Sequence, residues 1–162
     1  MHQGDAEQHE DGGEHRRIVG IAGKGDDTID CAGVLSPTYL DGGDGSDTLV
    51  GVENLRGSNF ADTLSGDDGA NDVEARGGND IVHGRGGNDI LNGRNGNDVI
   101  TGGAGNDTIN GGTGTDTMVY AGASSNFTLV SNGPTITVTD NTGAEGVDTV
   151  TSADRLRFNG VD

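Results

Sequence analysis

The chain has no tryptophan, one cysteine, two prolines, two tyrosines and three phenylalanines in 162 residues. Apolar residues make up 30%, too little surface for a conventional core to offset the entropy of ordering the chain. The lone Cys31 excludes an internal disulfide framework and reads as an inert small side chain. No apolar run approaches the roughly 20 residues that a helical membrane span requires. The N-terminal stretch MHQGDAEQHEDGGEHRR lacks the apolar core of a cleavable secretory signal. Positive charge is scarce: nine Lys and Arg stand against 27 acidic residues, a net charge of −18. That balance excludes nucleic acid and an anionic membrane surface as partners and points to cations.

What the chain has in excess is glycine, 32 residues of it, and glycine loses the most backbone freedom on folding. Composition alone therefore describes a disordered chain, unless a stacking repeat or a ligand supplies the missing free energy. The repeat is present. Asp62, Asn71, Asp80, Asp89, Asp98, Asp107 and Asp116 follow one another at steps of nine. Two residues after each comes an apolar one: Leu64, Val73, Val82, Leu91, Ile100, Ile109, Met118. Two residues before comes Gly69, Gly78, Gly87, Gly96, Gly105 or Gly114, with Phe60 breaking the column.

The unit Gly-Gly-x-Gly-x-Asp-x-U-x, with U a large apolar residue, resembles the nonapeptide of the RTX (repeats-in-toxin), hemolysin-type calcium-binding proteins. The resemblance covers about residues 19–119. It implies an all-β fold, a right-handed parallel β-roll, or β-solenoid. Physical reasoning agrees with it. The x-U-x triplet makes a short strand with U facing inward, and the glycine-rich hexapeptide turns the chain through positive φ. Two units form one coil of eighteen residues, and coils stack with parallel strands about 4.8 Å apart. Leu64, Val82, Ile100 and Met118 should line one inner sheet, and Val73, Leu91 and Ile109 the other. Ile81 and Val99 should neighbour each other on the outside, with Ile90 on the opposite face and His83 solvated.

Stacking also superposes the acids. Carboxylates about 5 Å apart repel by roughly 1 kcal/mol in water and about 3–4 at an effective dielectric of about 20, so a cation is needed between turns. Calcium–oxygen bonds of about 2.3–2.6 Å span the strand spacing, and calcium accepts carbonyls in loose geometry, whereas magnesium holds strict octahedra. Zinc prefers nitrogen and sulfur. Calcium, about four to six ions, is the expected cofactor.

The resemblance implies metal ligation by Asp47, Asp62, Asp80, Asp89, Asp98, Asp107 and Asp116 with carbonyls of the turn glycines. Those glycines are Gly78, Gly84, Gly87, Gly93, Gly96, Gly102, Gly105, Gly111 and Gly114. Sites using Asn71 or the turn holding Phe60 should be weak or absent. Arg76, Arg85 and Arg94 replace the second glycine, which puts the ideal turn in doubt there. They read as solvated charges relieving the acidic edges, with a patch for an anionic polymer as the alternative.

The expected organisation is a tail at 1–17 carrying His2, His9 and His15, irregular coils at 18–56, the regular array at 57–119 and a strand-rich cap at 120–162. In the irregular part GKGDDTID and GGDGSDTLV make two further turns. CAGVLSPTYL inserts a half-coil through Pro37, and Leu55 faces inward six residues after Leu49. Val119, Phe127, Leu129, Ile136, Val138, Val150, Leu156 and Phe158 should form the apolar face of the cap, which covers the last coil. HEDGGEH has the wrong spacing for a zinc-protease helix, and neither HExxH nor G-x-S-x-G occurs, so no enzyme is expected in this chain.

The resemblance implies a secreted, monomeric calcium-binding module, exported by type I secretion without a cleaved N-terminal signal. Two alternatives stand beside it. One is the C-terminal module of a larger secreted protease, lipase or polysaccharide epimerase. The other is an adhesive matrix protein holding an acidic polysaccharide through bridging calcium.

Overall fold

A computed structural model describes residues 19–21, 23–30, 39–50 and 54–159. The expected tail at 1–17, Cys31 and the Pro37 insertion lie outside the described residues. Strands alternate between two sheets. The first contains β1 (Val19–Ile21), β3 (Tyr39–Asp41), β5 (Asn54–Arg56), β7 (Asp72–Glu74), β9 (Ile90–Asn95) and β11 (Thr108–Thr113), in that spatial order. The second contains β2 (Thr28–Asp30), β4 (Thr48–Val50), β6 (Thr63–Ser65), β8 (Ile81–Gly86), β10 (Val99–Ala104) and β12 (Thr117–Tyr120). All of these neighbours pair in parallel. The chain is an all-β parallel β-solenoid.

The apolar columns become two rows of buried side chains. Leu49, Leu64, Val82, Ile100 and Met118 stack through one sheet, and Leu55, Val73, Leu91 and Ile109 through the other. Each strand of the array thus contributes one inward side chain, because its two neighbours point out. Leu55 falls in the inner row beside Val73 although only six residues follow Leu49. Ile81 pairs with Val99 on the outer face, and Ile81 and Ile90 are exposed. His83 is half-buried rather than solvated, and burial followed by the nearby Arg85 charge lowers its pKa.

Arg76, Arg85 and Arg94 keep the turn their glycine column demands, at φ of 80°, 80° and 74°. The strain of the left-handed region for these residues is tolerated because register leaves no alternative: Arg85 pairs with Gly103 and Arg94 with Gly112 one coil on. Arg85 Nε donates to Ser65 Oγ (2.8 Å), and Arg94 forms an ion pair with Glu74 (3.0 Å). These two are engaged locally.

The C-terminal segment does not simply lie across the last coil. A hairpin, β13 (Phe127–Asn132) with β14 (Thr135–Asp140), extends the first sheet in antiparallel fashion. The next strands rejoin the roll: β15 (Val147–Thr151) pairs parallel with β11, and β16 (Arg155–Phe158) pairs parallel with β12. Val138 and Val150 are buried, Phe127, Ile136, Leu156 and Phe158 pack partly against the core, and Leu129 is exposed on the hairpin edge. Tyr120, Phe127 and Phe158 cluster with ring centroids 4.9–5.4 Å apart.

The thin core makes each inner residue matter. Ile100 is fully buried, so Ile100→Ala should cost the folded roll about 2–5 kcal/mol in denaturant unfolding with calcium present. A loss below about 0.5 kcal/mol, the level of an ordinary surface substitution, would contradict the inward register.

Candidate metal centre

The hexapeptide turns fall on two edges. One carries residues 42–47, 57–62, 75–80, 93–98 and 111–116; the other carries 66–71, 84–89 and 102–107. An aspartate, or Asn71 in the turn at 66–71, ends each turn just before its strand, where the chain enters the sheet. Asp47, Asp62, Asp80, Asp89, Asp98, Asp107 and Asp116 are all buried.

Their oxygens divide the work. On the first edge the Asp62 N–H donates to Asp80 Oδ1 (2.9 Å), Asp80 N–H to Asp98 Oδ1 (2.9 Å) and Asp98 N–H to Asp116 Oδ1 (2.9 Å). The ladder reaches upstream, from Asp27 N–H to Asp47 Oδ1 and from Asp47 N–H to Asp62 Oδ1. On the second edge Asn71 N–H donates to Asp89 Oδ1 and Asp89 N–H to Asp107 Oδ1. One oxygen of each carboxylate is therefore the acceptor that joins its coil to the previous one. The other is left over: Oδ2 of Asp27, Asp47, Asp80, Asp89, Asp98, Asp107 and Asp116 is buried with no hydrogen-bond partner.

The first glycine of the turn keeps the space beside that oxygen open. A Cβ on Gly84 would run into Asp89 Oδ2 and the Gly102 carbonyl; one on Gly93 would run into Asp98 Oδ2 and the Gly111 carbonyl. Gly102 and Gly111 likewise abut Asp107 and Asp116 Oδ2. The fourth position brings coils close: Gly96 (φ 138°) and Gly105 (φ 135°) lie against the carbonyls of Gly78 and Gly87, where any side chain would collide. Gly78, Gly87 and Gly114 occupy the same place in their turns.

Electrostatics agree with geometry. Burial, the largest cause, outweighs the backbone hydrogen bond and pushes Asp47 and Asp89 up to about 6 and Asp80 up to about 7. Asp98, Asp107 and Asp116 are raised for the same reason. A desolvated carboxylate with a free oxygen calls for a proton or a cation. The donors at hand are carboxylate and carbonyl oxygens, and among the described residues no three His, Cys, Asp or Glu side chains converge as a metal-binding group. All-oxygen donor sets built largely from main-chain carbonyls suit a hard, geometrically tolerant cation such as calcium.

Two consecutive turns differ. Ser58, at the second glycine position, donates to Asp62 Oδ2 from its N–H (2.6 Å), and its hydroxyl lies 3.1 Å from the same oxygen and 2.9 Å from the Gly45 carbonyl. Asp62 thus has both oxygens engaged. Asn71 accepts from Asp67 N–H and donates to Asp67 Oδ1, closing its turn without a charge.

A family model described as RTX calcium-binding nonapeptide repeat (4 copies) matches residues 39–53, 50–82 and 83–118. The array belongs to the RTX calcium-binding repeat family. Among solved structures, extracellular lipase LipA from Serratia marcescens is similar over 81% of this chain at 20% identity and a TM-score of 0.45. The chain spans 16% of that protein's length. Among curated proteins nothing matches.

Beyond the RTX match, the structure adds Asp27, Asp148 and Asp154 to the ladder: Asp107 N–H donates to Asp148 Oδ1 and Asp116 N–H to Asp154 Oδ2, both at 2.9 Å. A signal was present, since GVDTV at 146–150 repeats the form of GNDTI at 105–109. A second, exposed ladder also escaped sequence reasoning. Asn79, Asn88, Asn97 and Asn106 each accept, through Oδ1, a backbone N–H of the following coil. Four successive Asn-Asp pairs mark it.

The raised carboxyls fix a pH dependence for the metal-free chain. A carboxyl whose folded pKa lies above its unfolded value binds its proton more tightly when folded, so stability is full below the ordinary value of 3.8 and is lost as pH climbs through about 6–7. In excess chelator, strand circular dichroism should therefore fade as pH rises from about 4 to about 7. A signal that strengthens over that range would contradict the buried ladder.

Proposed function

We propose that this chain is a secreted calcium-binding module whose roll assembles when calcium enters between stacked turns outside the cell. One observation carries the reading: seven aspartate Oδ2 atoms are buried with no partner. Calcium would be held by the carboxylates of Asp47, Asp80, Asp89, Asp98, Asp107 and Asp116 together with carbonyls of turn glycines such as Gly84, Gly93, Gly102 and Gly111. When bound, the ion supplies the positive charge that offsets carboxylate desolvation and repulsion.

Because these sites join residues of different coils, they do not exist in the unfolded chain, and binding free energy becomes folding free energy. Extracellular modules bind calcium at about 10⁻⁴–10⁻³ M, far above cytosolic levels. The chain would thus stay extended inside the cell, fit to pass a type I export channel, and fold on release. The role read here is structural and non-catalytic.

Calcium added to the chelated chain should raise strand circular dichroism cooperatively. Asp98→Ala removes both the acceptor for Asp80 N–H and a free oxygen. It should shift the midpoint about tenfold or more, as expected for a hydrogen bond to a charged group worth about 1.5–3 kcal/mol. Asn71→Ala should shift it far less. Equal shifts would refute the assignment, and an unchanged spectrum on adding calcium would refute ion-driven folding. Ser58→Gly removes the hydroxyl from Asp62 Oδ2 and leaves the backbone N–H of residue 58 on it; calorimetry should then count one ion more than in the parent, and an unchanged count would show that the hydroxyl does not stand in for an ion.

A further inference from the structure

The coil that closes the roll comes from beyond the matched repeats, which end at residue 118, yet it copies their turn chemistry on both edges. On one edge, Asp148 is buried and its Oδ1 accepts the Asp107 N–H, as Asp107 accepts that of Asp89. Gly146, at φ 75°, lies against the Gly105 carbonyl as Gly105 lies against that of Gly87. Val147 N–H donates to Asn106 Oδ1 (2.8 Å) as Asn106 N–H does to Asn88 Oδ1.

On the other edge the turn is shortened to Ser152–Asp154, but the parts remain. Asp154 accepts the Asp116 N–H, and the Ser152 carbonyl meets Gly111 where the Gly111 carbonyl meets Gly93 one coil earlier. Asp107 and Asp116 are 2% and 0% exposed, and the Oδ2 of each is buried with no protein partner; that of Asp116 lies at Gly111, which the Ser152 carbonyl also meets. A charged oxygen sealed in that way needs a cation as much here as inside the array.

We propose that the C-terminal coil builds two further calcium sites. Asp107 and Asp148 frame one; Asp116, Asp154 and the Ser152 carbonyl frame the other. The proposal rests on the calcium reading above and extends it past the repeats. Its consequence is topological. The paired acids are 41 and 38 residues apart, so the two ions tie off the loop that contains the β13–β14 hairpin. The hairpin and the Tyr120–Phe127–Phe158 cluster then order only when calcium occupies the end of the roll.

Tyr120 offers a local reporter. Its ring is buried, and its hydroxyl lies beside the Asp148 carboxylate. With Tyr39→Phe, Tyr120 is the one tyrosine left in a chain without tryptophan. Terbium, as a luminescent stand-in for calcium, should then emit on tyrosine excitation, and calcium should quench it by displacement. In that background Asp148→Asn, which still accepts the Asp107 N–H, should lose most of the emission, while Asp154→Asn should retain it. Calorimetry should count one calcium fewer in each variant.

Absence of tyrosine-sensitised emission in a chain that binds calcium would overturn the site at Asp148. An unchanged calcium count for Asp154→Asn would overturn the other. A parent chain that takes up no calcium would overturn the underlying reading and this proposal with it.

Discussion

A carboxylate shut inside a turn, with one oxygen on the amide of the coil before it and the other facing no partner, sets the terms for the whole molecule. The bonded oxygen fixes coil to coil at each acid, and the free one makes that fixation costly until charge is neutralised. Burial pushes Asp80 up to about 7 without a metal, so near neutral pH the metal-free ladder must hold protons or come apart. In the proposed reading, a divalent cation would reverse the balance at each rung with an unpartnered oxygen and leave the backbone bonds in place. Ligand binding and architecture would then be one equilibrium.

The rest of the structure follows from how little else holds it. Each strand of the array offers one apolar side chain to the interior, so the core is a double row from Leu49 and Leu55 to Met118. Glycine is indispensable in the turns, where it permits coil-to-coil contact at Gly96 and Gly105, yet it raises the entropy lost on folding. Asparagine ladders beside the aspartates add exposed hydrogen bonds whose individual contribution is small, about 1 kcal/mol or less. The roll thus has little but its double row of side chains and its coil-to-coil bonds to hold it.

The regular array was legible because period and chemistry coincide: nine residues, one acid, one inward apolar side chain. Even the short step to Leu55 could be read, since Asn54-Leu55-Arg56 keeps the form of one apolar residue between two polar ones. Three things were hidden. The arginines at the second glycine position do not spoil the turn, because register with Gly103 and Gly112 imposes left-handed backbone on Arg85 and Arg94. The aspartates do not meet as bare charges, because Oδ1 of each is committed to a main-chain N–H. That division depends on which way a buried carboxyl rotates, and spacing cannot express it. The last coil was masked by the hairpin, which places Asp148 41 residues from its partner instead of eighteen.

Ser58 shows the same logic from the opposite side. A neutral hydroxyl and amide take the place of an ion at Asp62, and the neighbouring turn is closed by the uncharged Asn71. The array is therefore not uniform, and two consecutive turns in its middle are self-satisfied where those after them are not. That contrast shows that a turn of this kind can close without leaving an unpartnered oxygen.

Amide hydrogen exchange at the acid positions tests the central claim most directly. With calcium, the backbone N–H groups of Asp80, Asp89 and Asp98 should be strongly protected; in excess chelator at neutral pH they should exchange at the rate of an unfolded chain. Protection that persists undiminished without calcium would contradict the account.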